Sequence, residues 1–139
     1  MTALVVVTED DAFAAAIQAL AGAELSVARV HAEEALAAVG HDHPDILAID
    51  TDSVRDSQSL IGALSLLTHA CIVALAHQAW PGSRAAAEWR VAGADAVLSK
   101  PSGRASPSLA GLDRDATTRW FILLAAGRSS ERGAVEAAP

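Results

Sequence analysis

Five short apolar runs punctuate the chain, at residues 3–7, 25–30, 46–49, 71–76 and 96–99, each bounded by acids, glycine, proline or other polar residues. They are too short for helices. Those at 3–7, 46–49 and 71–76 are continuous, which suits strands buried on both faces. The run at 25–30 alternates enough for an outer strand. Between the runs, apolar residues return at helical spacing. Phe13, Ile17 and Leu20 make a stripe over about 12–21, with Asp10 or Asp11 as the cap. A short helix is expected over 32–39, with Glu33 and Glu34 at its positive end. Leu60, Ile61, Leu64 and Leu67 share one face of a helix over 57–67. Further helices are expected over 83–92, stopped by Gly93, and over 112–128. Residues 40–44 and 77–82 read as loops and 102–111 as turn-rich. The tail 129–139 is expected to be disordered.

Strands alternating with helices on short connections imply an α/β fold with a parallel sheet, right-handed crossovers and helices on both faces. For five strands the natural arrangement is the flavodoxin-like doubly wound sheet of order 2-1-3-4-5, filling one domain over 1–128. Ligands in such sheets gather beyond the carboxyl ends of the strands. Asp50 falls at the end of the central strand, and the topology directs Glu9, Asp10, Asp50, Asp52, Ala76 and Lys100 toward the same edge. Clustered carboxylates stay ionised only beside a cation. A hard divalent ion such as Mg²⁺ would suit them, and Lys100, the one lysine, could pair with Asp50 or with a phosphoryl group on it. Without a His or Ser in nucleophile geometry, phosphoryl transfer to Asp50 fits this set better than hydrolysis, and an inert Lys–Asp bridge remains the plain alternative.

Composition narrows the classes. No run reaches membrane-spanning length and no basic-then-apolar leader opens the chain, so a cytoplasmic protein is expected. The single Cys71 heads an apolar run and reads as a small core residue. The net charge of −7 divides into −9 over residues 1–83 and +2 over 84–139, which argues against bulk nucleic-acid binding. His41 and His43 have metal-like spacing but stand alone in a loop. No glycine-rich phosphate loop or nucleophile elbow is present.

Four stretches resemble the receiver domain of two-component response regulators. They are Val5-Val6-Val7 followed by acids, Pro44-Asp45-Ile46-Leu47-Ala48-Ile49-Asp50, Ile72-Val73-Ala74-Leu75, and Ala92-Gly93-Ala94-Asp95-Ala96-Val97-Leu98-Ser99-Lys100-Pro101. Lys100-Pro101-Ser102-Gly103 is also similar to receivers attached to chemotaxis methylesterases. The resemblance spans residues 2–128. It implies that Asp50 is the phosphoacceptor, that Lys100 pairs with the phosphate, and that the carbonyl of Asp52 helps hold the metal. It places Thr8 and Glu9 on the family's acidic pair, or Glu9 and Asp10 if the register slips by one. It also marks departures. Ala76 replaces the Ser or Thr hydroxyl at the end of strand four, and Val97 replaces the switching aromatic of strand five. A degenerate receiver is therefore expected, with weak Mg²⁺ binding because Thr8 removes one ligand.

The run from Trp120 to Ala126 holds seven apolar residues on an expected helix. Successive helical positions turn by about 100°, so these side chains cannot all face one core. A protein partner or a second copy is expected on the face of helix four, strand five and helix five, with Trp89, Arg119, Trp120 and Leu123 as candidate anchors. A covering by the tail is the alternative. The expected function is a stand-alone, non-enzymatic receiver-like module that signals by protein binding, with phosphorylation switching impaired or absent. Two other readings stand beside it. One is a working phosphoacceptor in a histidine-kinase relay, chemotaxis-like in type. The other is a small-molecule or nucleotide binder using the acidic edge and the loop at Trp80.

Overall fold

A computed structural model describes residues 1–77, 82–100, 121, 122 and 126. Strand β1 (Thr2–Val7) leads to helix α1 (Asp11–Gln18), then β2 (Leu25–Val30), one turn of 3-10 helix (Ala32–Glu34) and α2 (Ala35–Asp42). Strand β3 (Ile46–Asp50), α3 (Ser57–Leu67), β4 (Cys71–His77), α4 (Arg84–Ala92) and β5 (Ala96–Lys100) follow. The five strands form one all-parallel sheet of order β2-β1-β3-β4-β5, as the pattern of short apolar runs implies.

Side chains alternate across a strand, so β1 serves two cores. Val5 and Val7 join Leu47, Ile49, Ile72 and Ala74 beneath Val39, Ile61 and Leu64. Leu4 and Val6 join Ile46, Ala48, Val73 and Leu75 on the other face, beneath Phe13 and Ile17 of α1 and Phe121. Both layers are closed by fully buried aliphatic side chains, each contributing about 1.5–3 kcal/mol. Cys71 is buried, as its apolar surroundings suggest.

Two aspartates act as clamps at strand starts. Asp45 donates its N–H to the Ala3 carbonyl at 2.9 Å, and its Oδ2 accepts from the Ala3 N–H at 2.8 Å. Asp95 repeats the device with Ile72, at 2.8 and 2.9 Å. Each closes a backbone pair where the ladder would otherwise fray.

Local differences from expectation have plain causes. Residues 40–42 extend α2 rather than forming a loop. The helix ends at His43, in the left-handed region at φ 44°, because Pro44 disfavours right-handed helix in the residue before it. On α3, Ile61 and Leu64 are buried and Leu60 is partly so, but Leu67 is 66% exposed. The stripe through Ile61 and Leu64 next falls at residue 68, where the helix has already ended. Gly93 stops α4 at φ +130°, and a Cβ there would meet Ser65 at 3.0 Å. No helix among the described residues is long and apolar enough to cross a membrane.

Candidate functional site

Parallel register sets the site. Val7 pairs with Ile49, so the residues that follow, Thr8 and Asp50, leave the sheet side by side. Asp50 in turn pairs with Leu75 of β4. Both Thr8 and Asp50 are 0% exposed, a polar pair within an apolar layer. A buried carboxylate requires donors. Thr8 Oγ1 donates to Asp50 Oδ2 at 2.7 Å, and the Asp52 N–H donates to Asp50 Oδ1 at 3.3 Å. The first has the usual length of a hydroxyl hydrogen bond.

Thr8 is itself held from two sides. Its Oγ1 lies 3.1 Å from Ser53 Oγ, and the Asp10 N–H donates to it at 3.0 Å. Ser53 Oγ also accepts from the Glu9 N–H at 2.9 Å. The main chain of Thr8 is fixed by its N–H on the Val30 carbonyl and by Arg29 Nε on its own carbonyl. Arg29 reaches on to Asp11 at 2.9 Å.

The neighbouring acids are occupied elsewhere. Glu9 Oε1 accepts from the Ala32 N–H at 2.7 Å, and Oε2 lies 2.8 Å from His31 Nδ1. The Ala32 N–H first, then the His31 ring, hold the Glu9 carboxyl below the usual carboxylate range. Asp10 Oδ1 accepts from the N–H groups of Ala12 and Phe13 and so caps α1. Thus the Glu9 carboxylate is turned toward Ala32 and His31 and that of Asp10 toward α1, while the Thr8 hydroxyl donates to Asp50. Among the described residues, no three His, Cys, Asp or Glu side chains gather as a metal-holding group, and His41 and His43 are no exception. The donor set as placed does not fit a closely held hard cation, which takes carboxylate and carbonyl oxygens. A threonine hydroxyl already donating to Asp50 cannot serve in place of an acid.

Ala76 is buried at the end of β4 and pairs with Ser99. Val97 pairs with Ala74 and packs, partly buried, against the core under α3. Lys100 ends β5 opposite His77, and its side chain lies outside the described residues. Trp89 packs, partly buried, against the same core as Val97. Arg119, Trp120, Leu123, the Trp80 loop and the tail lie outside the described residues. Phe121 of the apolar run is buried against α1's core, and Ala126 is exposed.

Ser53 and His31 were not foreseen as site residues. Neither belongs to a motif, and both reach the turn after β1 only through the pairing of β1 with β2 and β3. A small hydroxyl three residues after the strand-end acid was the one available signal.

No protein-family model matches the sequence, and none of the curated proteins does. Solved structures do match. The response regulator domain of Thermotoga maritima CheB aligns over 100% of this chain and 99% of its own, with a TM-score of 0.71 and 13% identity. The signal receiver domain of a proposed LuxO repressor from Vibrio parahaemolyticus aligns over 99% and 98%, with a TM-score of 0.72 and 16% identity. A proposed pilus assembly protein (cpaE) from Burkholderia thailandensis aligns over 86% and 97%, with a TM-score of 0.61 and 26% identity. With its strand order 2-1-3-4-5 and its strand-end aspartate, the chain has the fold of response-regulator receiver domains.

Proposed function

We propose that the chain is a receiver-like signalling module that works by binding a protein, with Asp50 held in one state instead of being switched by phosphorylation. The observation that carries this reading is the burial of Asp50 under Thr8. A phosphoacceptor must offer an oxygen to its donor, whereas Asp50 is 0% exposed and its Oδ2 takes the Thr8 hydroxyl at 2.7 Å. The remaining departures point the same way. Ala76 has no hydroxyl to meet a phosphoryl group, and Val97 is no aromatic switch. Mg²⁺ would be held weakly, since Glu9 and Asp10 spend carboxylate oxygens on other donors.

The partner surface in this reading is α4, β5 and the apolar run 120–126, in a protein of the cytoplasm. Val91 of α4 is 89% exposed and offers this surface an apolar position. Leu123 and Trp120, both outside the described residues, are the candidate anchors of this surface. Arg119 is charge-bearing rim in the same reading, and Trp89 supports the surface from beneath.

Sedimentation velocity tests the reading. The wild-type chain should be a homodimer with and without acetyl phosphate, and Leu123→Asp should give a monomer with unchanged circular dichroism. A monomer under both conditions at high concentration would refute the self-binding surface. A dimer that appears only with acetyl phosphate would favour the second reading, a phosphoacceptor of a histidine-kinase relay. That reading draws on the position of Asp50 at the carboxyl end of the central strand.

A further inference from the structure

Thr8 has one hydroxyl hydrogen, and the structure gives it to Asp50. The 3.1 Å contact with Ser53 must therefore run the other way, with Ser53 donating to Thr8. The result is a directed chain from Ser53 through Thr8 to the Asp50 carboxylate, whose members polarise one another. Two backbone N–H groups complete it. Glu9 N–H donates to Ser53 and Asp10 N–H donates to Thr8, so both hydroxyl oxygens are satisfied. These five groups come from the turn after β1, from Asp50 at the end of β3 and from Ser53 in the loop between β3 and α3. The opposite flank of the turn is tied to β2 and the 3-10 turn by Arg29, His31 and Ala32.

We infer that Thr8 and Ser53 form a clasp, independent of any metal, that holds the turn after β1 closed against the loop after β3, with Asp50 as its anchor. The clasp occupies the place where the receiver resemblance would put a cation, and it explains why the acids of that turn face outward. Ser53 is the positioning residue of the clasp: it touches no ligand and acts through Thr8. The inference rests on the reading of Asp50 as a site held in one state, but its readout is separate from the oligomer measurements above.

Amide hydrogen exchange on the full chain tests it, with Glu9 and Asp10 as reporters. In the presence of EDTA both amides should be protected, and 10 mM Mg²⁺ should leave their rates unchanged. Ser53→Ala removes the acceptor of the Glu9 amide. A hydrogen bond of ordinary net strength then predicts roughly 2- to 13-fold faster exchange at Glu9. Core amides of β3 should not change, and Ser53→Thr, which keeps the hydroxyl, should restore protection. The clasp is overturned if Glu9 and Asp10 exchange at free-peptide rates in EDTA and slow only when Mg²⁺ is added. It is equally overturned if Ser53→Ala leaves the Glu9 rate unchanged. Either result would leave the dimer test standing on its own.

Discussion

Replacing Thr8 by Val keeps the branched shape and deletes only the hydroxyl. In the wild-type chain that hydroxyl donates to a carboxylate 0% exposed, at 2.7 Å. A hydrogen bond to a charged group contributes about 1.5–3 kcal/mol, and the loss is felt in full because water cannot take the vacated place. With a denaturant slope of about 2 kcal/mol/M, a loss of about 2 kcal/mol lowers the urea midpoint by roughly 1 M. Domains of this kind have about 5–15 kcal/mol in total, so the variant should still fold. The specific test is a double-mutant cycle with Asp50→Ala. Once the carboxylate is gone, Thr8→Val should cost at least about 1 kcal/mol less than it does in the wild type. If the two changes add within about 0.5 kcal/mol, Thr8 and Asp50 are not coupled and the site has been misread.

Glu9 gives a pH dependence whose sign follows from its lowered pKa, due first to the Ala32 N–H and then to the His31 ring. The ionised form is favoured in the folded state, so the contribution is present above the ordinary glutamate pKa and is lost as pH falls through the lower folded value. Glu9→Gln should therefore flatten the acid limb of a stability–pH curve below that value, and an unchanged limb would deny the pairing. Gly93→Ala should destabilise by more than about 1 kcal/mol in urea melts, because φ is +130° and a Cβ would lie 3.0 Å from Ser65. Asp95→Ala leaves the Ile72 N–H without the Asp95 Oδ2 acceptor and should cost roughly 1–3 kcal/mol, with faster exchange of the Ile72 amide in β4 by NMR.

The sheet was legible because its strands are short, continuous apolar runs separated by helices of 3.6-residue period, and few topologies accommodate that alternation. Asp50 was legible for the same reason, since a buried strand must deliver its last residue to the sheet's edge. The orientation of the acids was not. Glu9, Thr8 and Asp10 are consecutive or nearly so, and which of them faces Asp50 depends on hydrogen bonds made across β1, β2 and β3. Ser53 and His31 become partners of that turn only through the same long-range pairing. Residues 40–42 were misjudged because Gly40 and two histidines look like a loop, while the helix runs on until Pro44 forbids it. Leu67 shows the converse: it stands at helical spacing from Leu60 and Leu64 yet is exposed, because the buried stripe through Ile61 and Leu64 next falls beyond the helix end.

The proposed function requires that Asp50 does not switch. The most direct measurement is the amide spectrum of the full chain with Mg²⁺ before and after beryllofluoride, a mimic of a phosphoryl group on an aspartate. A site closed by Thr8, with Ala76 and Val97 in the switching positions, predicts no shifts beyond those of fluoride alone at Asp50, Ala76, Val97 or Phe121. Saturable shifts that begin at Asp50 and extend through β4 and β5 to Phe121 would contradict the account and make the chain a working phosphoacceptor.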